Sequence, residues 1–112
     1  MGNSAKEFYE NIRGDQQKMK KEAPGIVRAF GSMYQQIMKE EGELSLKEKE
    51  LIALGISIAL RCVPCINLHV KGCLDAGASR AEVIEAAGVA VTMQGGPGYT
   101  YLPLVLEALK GE

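Results

Sequence analysis

Apolar positions along this chain recur at three- and four-residue spacing and almost never alternate, so the pattern predicts helices. No alternating run and no Asn-Gly or Asp-Gly pair marks a hairpin. Ala5 to Lys21 reads as a polar helix, expected to break near Gly14 and Asp15. Pro24 sets the next start, because the residue before a proline avoids the α region. From there Ile26, Val27, Phe30, Met33, Tyr34, Ile37 and Met38 mark an amphipathic helix. It is expected to end in the charged run Lys39, Glu40, Glu41 and to be stopped by Gly42.

Ser45 with Glu48 three residues on is a capping box, in which each side chain satisfies a backbone N–H of the other. The helix it opens is expected to run to about Leu60. Between Leu51 and Leu60 only Gly55 and Ser57 are not plainly apolar, which predicts a central helix buried on every side. Pro64 is tolerated only in a first turn. A new helix therefore starts around Cys62 to Pro64 and runs to Ala76, with Gly77 as its C-cap. Ser79 and Glu82 form a second box. Its helix carries Val83, Ile84, Ala87, Val91 and Met93, with Val89 and Ala90 widening the face. Gly95 to Gly98 reads as a loop. The last helix, from about Tyr99 to Lys110, accommodates Pro103 if that proline lies in its first turn. The whole is an all-α fold of about five to six helices.

Composition narrows the picture. The 112 residues, 46% hydrophobic and 24% charged, suit one globular domain. So short a chain buries a modest fraction of its surface, which makes association plausible. The formal net charge of −1 argues against nucleic acid and anionic membranes as partners, since both need a basic field. No apolar run is long enough for a membrane span. The N-terminus, from Met1 and Gly2 onward, lacks a signal peptide and a myristoylation pattern. The expected compartment is the cytoplasm, where close cysteines are catalytic or metal-binding more often than structural.

The chemistry is concentrated between Cys62 and Cys73, which holds all three cysteines and the one histidine. Cys62 and Cys65 would lie in the first turn of a helix, where the partial positive charge favours thiolate. Their spacing puts the sulfurs within disulfide reach, so the pair can cycle between dithiol and disulfide. His69 follows Cys65 by four residues, one turn on and on the same face. It can take a proton from Cys65 or return it. Cys73 reads as a buried core cysteine.

A zinc set of Cys62, Cys65, His69 and Cys73 is the rival reading. On one helix Cys62 and Cys73 would be about 16 Å apart, whereas sulfurs sharing a zinc ion lie about 4 Å apart. At most three of the four could share one ion.

These motifs resemble the carboxymuconolactone decarboxylase / alkylhydroperoxidase D family. The resemblance lies in Leu46 to Ser57, then Cys62, Cys65 and His69 in the order C-x-x-C-x-x-x-H, then Gly77-Ala78-Ser79 with Glu82, Val83 and Glu85. It covers roughly residues 24 to 110. The expected organisation is a single domain over 1–112, with 1–23 a helical extension and 45–85 the core bearing the motif.

The resemblance implies a helical domain assembled as a homo-oligomer, trimer or hexamer. It implies a catalytic relay of Cys62, Cys65, His69 and Glu50, with no cofactor and no metal. Glu50 is the position twelve before the first cysteine, and the nearby Glu48 is already used in the cap. In peroxidase-type members the second cysteine attacks the peroxide and the first resolves it. The implied activity is therefore a thiol-disulfide oxidoreductase that reduces peroxides. Its partners would be a hydroperoxide and a dithiol reductant, such as a lipoyl-type one. Some such members carry a histidine just before the second cysteine, where this chain has Pro64. Lactone decarboxylases of the family generally lack the paired cysteines. Two alternatives stay open: a cofactor-free decarboxylase of the lactone type, and a non-catalytic oligomer that holds metal.

Overall fold

Side-chain caps set most of the helix boundaries. The computed structural model describes residues 4–111, and among them the chain forms seven helical segments, six of them longer than one turn. They are α1 (Ala5–Glu22), α2 (Pro24–Met38), α3 (Leu46–Ala59), α4 (Val63–Asp75), α5 (Arg80–Gln94), α6 (Gly96–Tyr99) and α7 (Leu102–Ala108). Met1 to Asn3, on which the reading of the N-terminus rests in part, lie outside the described residues.

Both expected capping boxes form. The Glu48 N–H donates to Ser45 Oγ at 3.1 Å, and the Ser45 N–H to Glu48 Oε1 at 2.8 Å. Ser79 and Glu82 repeat this at 3.0 and 2.9 Å. The α4 cap is chemically unusual: Cys62 is the N-cap, and its Sγ accepts from the Cys65 N–H at 3.3 Å. Pro64 falls in the first turn, as expected. At the other end Gly77 takes a φ of +96°, which glycine adopts without a Cβ penalty, and the chain turns toward α5.

Four local expectations need correction. α1 is continuous through Gly14, because one interior glycine costs about 1 kcal/mol against alanine, too little to break a long helix. α2 stops at Met38, short of Gly42. The Lys49 ammonium of α3 donates to the Ile37 and Glu40 carbonyls, both at 2.7 Å, and so satisfies the end of the helix from outside it. Gly96 to Tyr99 winds into one helical turn, with Pro97 at its start, rather than a loop. The last helix correspondingly begins at Leu102 and keeps Pro103 in its first turn.

The core lies where α3, α4, α5 and α7 meet. Leu54 and Ile58 of α3 pack with Ile66, Val70 and Cys73 of α4, Val83 and Ala87 of α5, and Val105, Ala108 and Leu109 beside α7. Polar ties hold the frame. Lys47 pairs with Glu82 at 2.9 Å, Gln94 Nε2 donates to the Ala59 carbonyl at 3.0 Å, and Arg80 Nη1 to the Leu109 carbonyl at 2.7 Å.

The expectation that α3 is buried on every side fails. Ile52, Ile56 and Leu60 are 50%, 54% and 70% exposed. Ile84, Val89 and Met93 on α5 are exposed too. The chain has too few helices to cover both sides of α3, so its second apolar face stays open. Among the described residues no helix is long and apolar enough to cross a membrane.

Candidate active site

Two helices of the core supply the predicted residues. Glu50 lies in the second turn of α3, while Cys62, Cys65 and His69 lie at the start and along the first half of α4. These helices form the most extensive helix pair in the molecule, so the site is built on its firmest part. Cys62 and Cys65 are joined by a disulfide, their Cα atoms 5.2 Å apart. Both cysteines are partly exposed.

Glu50 Oε1 lies 2.8 Å from His69 Nδ1, with the two side chains only 5% and 14% exposed. A buried carboxylate needs such a partner, since taking its charge out of water is costly. An ionised carboxylate only accepts hydrogen bonds, so Nδ1 donates and the proton-exchanging nitrogen is Nε2.

Gly72, one turn beyond His69, makes room for this pair. A Cβ at Gly72 would overlap the Glu50 carboxyl group. An interior helical glycine with no turn to make is the sequence signal that could have found it.

Two tyrosines from the N-terminal helices close the site. The Tyr34 ring of α2 stacks on His69, with centroids 6.5 Å apart and planes at 23°. Burial first, then the Glu50 charge, pushes its hydroxyl up to about 12. Tyr9 of α1 is raised for the same reasons in the same order, with Asp75 contributing last. Lys71 sits 5.7 Å over the Tyr9 ring and bonds Asp75 at 3.1 Å. Sequence reasoning placed Tyr34 on an apolar stripe and missed its relation to His69. Nothing in the spacing of the chain links residues 9 and 34 to residue 69.

The third cysteine behaves differently. Cys73 is fully buried and free, and burial, followed by the charge of Glu50, pushes its thiol up to about 12. It is therefore protonated and unreactive at neutral pH. Among the described residues no three His, Cys, Asp or Glu side chains are grouped to hold a metal ion.

Next to the site, α1, α2 and α4 flank an open, mainly apolar cavity of about 440 Å³. Met19, Ile26, Phe30 and Leu68 line it, and Leu68 immediately precedes His69.

Comparison with known proteins places this geometry in context. The model of the carboxymuconolactone decarboxylase family matches residues 24–108. The structure is similar to the apo crystal structure of a carboxymuconolactone decarboxylase family protein from Legionella pneumophila. The two are 34% identical with a TM-score of 0.86, over 95% of this chain and 94% of that one. It is also similar to a protein of the same family from Thermotoga maritima, described with a possible involvement in antioxidative response. That pair is 30% identical with a TM-score of 0.79, over 93% and 87% of the two chains. By sequence, the chain is 35% identical over 69 residues to uncharacterized protein 4 in the cox locus of Paracoccus denitrificans. It spans less than two thirds of the length of the sequence relatives it matches.

Proposed function

The chain belongs to the carboxymuconolactone decarboxylase family, and from that premise we propose that it is a thiol-disulfide oxidoreductase that reduces organic hydroperoxides. The observation that carries this reading is the 2.8 Å Glu50–His69 hydrogen bond on the same helix pair as the Cys62–Cys65 disulfide. A proton carrier with its orienting carboxylate and a bridged pair of thiols are the two parts such a cycle needs. The antioxidative description of the Thermotoga maritima relative supports the same direction.

In the dithiol form His69 Nε2 takes the proton of Cys65. The Cys65 thiolate attacks the terminal peroxide oxygen, forming an S–O bond as the O–O bond breaks. The alkoxide that leaves takes the proton from His69 as an alcohol, and Cys65 is left as a sulfenic acid. The Cys62 thiolate then attacks Cys65, forming the S–S bond and, with one proton, releasing water. The peroxide has gained two electrons and the cysteine pair has lost two. A dithiol reductant restores the pair by exchange, attacking first at Cys62 and leaving as its own disulfide. Glu50 holds His69 in the Nδ1–H form throughout. The 440 Å³ cavity beside Leu68 suits the organic part of the hydroperoxide.

Consumption of a hydroperoxide with several dithiol reductants, beside Cys65→Ser, tests the proposal. Turnover that depends on Cys65 and on the dithiol is the expected result. A rate unchanged by Cys65→Ser overturns it. The family's name supplies the second reading, cofactor-free decarboxylation by the Glu50–His69 pair alone. Turnover of a lactone acid that survives loss of both Cys62 and Cys65 would establish that reading.

The same proposal includes a homo-oligomer, a trimer or hexamer by resemblance. Support comes from the open apolar face of α3 and α5, where Ile52, Ile56 and Val89 surround a shallow groove floored by Gly55, Ala59 and Ala90. Small residues there let a second copy's helix approach closely, and exposed apolar area of this extent is characteristic of an interface. Light scattering should read more than one copy, and Ile56→Glu should dissociate it. A wild-type monomer at every concentration overturns the assembly.

A further inference from the structure

One hydrogen bond does not aim an imidazole. His69 Nδ1 is tied to Glu50 at 2.8 Å, and Nε2 has no hydrogen-bond partner among the described residues. The ring remains free to swing about the Nδ1···O axis unless a second contact fixes its plane.

That contact comes from α2. Tyr34 lies over the imidazole at 6.5 Å and 23°, within the range of offset aromatic stacking. Tyr34 is itself steadied by the Phe30 ring at 5.7 Å and by Lys39 Nζ at 5.8 Å from its ring centre. Ile26, Phe30, Met33 and Ile37 of α2 are exposed, while Tyr34, like Val27 and Met38, is half-buried. Its hydroxyl makes no hydrogen bond among the described residues, so the contact is made by the ring.

We infer that Tyr34 is a positioning residue whose ring, together with the Glu50 carboxylate, fixes the plane of the His69 imidazole and shields the pair from water. This deepens the redox reading and rests on it for its catalytic meaning. The charged and titratable groups around His69 are Glu50 from α3, Tyr34 from α2 and Lys39 at its C-cap, Tyr9 from α1, and Lys71 and Asp75 on α4 itself. Of these only Glu50 hydrogen-bonds the ring. With the Tyr34 ring gone, water reaches the Glu50–His69 hydrogen bond, and the imidazole turns about the Nδ1···O axis so that Nε2 no longer faces one direction.

His69 is the one histidine in the chain, so its imidazole signals in an NMR spectrum are unambiguous. The test records their positions and line widths at one pH in wild type, Tyr34→Phe and Tyr34→Leu. In parallel, the rate of Cys62–Cys65 reduction by dithiothreitol is followed in the same three proteins. Tyr34→Phe is expected to match wild type in both measurements. Tyr34→Leu is expected to move and broaden the His69 ring signals, as an imidazole without a fixed plane should, and to slow reduction about threefold or more. His69 signals in Tyr34→Leu that keep the wild-type positions and widths overturn the inference.

If Tyr34→Leu does not fold, the wild type decides. A nuclear Overhauser contact between the Tyr34 and His69 ring protons supports the assignment, and its absence overturns it. If the His69 signals change as expected but none of the three proteins exchanges thiols, the positioning role stands and the redox reading falls.

Discussion

The α3–α4 pair and the α1–α2 pair meet at one imidazole but are built differently. In α3 and α4 the inward positions Leu54, Ile58, Ile66, Val70 and Cys73 are sealed from solvent, and the four proposed catalytic side chains sit on that frame. In α2 no residue is buried, and among the described residues α1 contributes to the core through Ala5 alone. Tightly packed elements hold geometry, whereas elements with few buried contacts open at low cost. The difference separates two jobs: the groups that would exchange protons and electrons stand on the rigid pair, and the rings that shield them stand on the looser one.

The largest effect expected from this contrast is chemical. Cys65→Ser replaces the thiolate by a hydroxyl and should reduce peroxide turnover about 10³-fold or more. Tyr9→Phe, on α1, keeps the ring under Lys71 and should leave turnover within about twofold. Steady-state assays of both proteins make the comparison. Equal losses would mean that α1 carries chemistry and not only shielding.

Stability should divide the same way. Leu54→Ala should cost about 2–5 kcal/mol, as deletions in a close-packed core do. Ile26→Ala, at a position 72% exposed, should cost under about 0.5 kcal/mol. Urea denaturation of both variants at the same protein concentration checks this. A cost at Ile26 that approaches the cost at Leu54 would mean that the apolar stripe of α2 is covered in solution.

The same contrast decides what could be read from the sequence. Helix boundaries were legible where a side chain signals them locally: Ser45 with Glu48, Ser79 with Glu82, Pro64 and Gly77. That Cys62 and Cys65 stand at the start of α4, within disulfide reach of each other, was legible because the two lie in one helical turn. What failed depended on partners distant in sequence. The end of α2 is set by Lys49, not by a local glycine. The exposed side of α3 depends on how many helices the chain has to cover it. Tyr34 was read as one more apolar position, since nothing near it shows that its ring meets His69 of α4. The expectation for α1 failed for the opposite reason: a weak local signal at Gly14 was given more weight than the helix on either side of it.

Glycine gives a matched pair of substitutions. Gly72→Ala would push a methyl group into the Glu50 carboxyl and should destabilise by about 1–3 kcal/mol. Gly14→Ala, on α1, meets nothing within 4 Å and should stabilise by about 0.5–1 kcal/mol. Thermal melts of the two variants should therefore shift in opposite directions. A neutral Gly72→Ala would show that Glu50 can move away without loss, and that its seat against α4 is not tight.

The last expected effect is a dependence on alkaline pH, and it too differs between the two regions. Cys73 in the core and Tyr34 on α2 both have folded values near 12, against ordinary values of 9.0 and 10.0. Above pH 9 the unfolded chain therefore releases the Cys73 proton while the folded chain keeps it. Stability falls as pH rises wherever the unfolded state binds fewer protons. The Cys73 contribution to that fall begins near pH 9 and continues toward pH 12, and the Tyr34 contribution begins a unit later. At pH 10 the thiol should already account for about 1 kcal/mol of lost stability, and the phenol for less. The readout is the difference in unfolding free energy between pH 7 and pH 10, with the Cys62–Cys65 bond intact so that neither of those thiols titrates. Cys73→Ala should shrink this difference, whatever packing it loses equally at both pH values, and Tyr34→Phe should shrink it less. If Tyr34→Phe had the larger effect, the ring on α2 would be more deeply enclosed than the core thiol, and the division between a rigid pair and a looser one would not hold at the site itself.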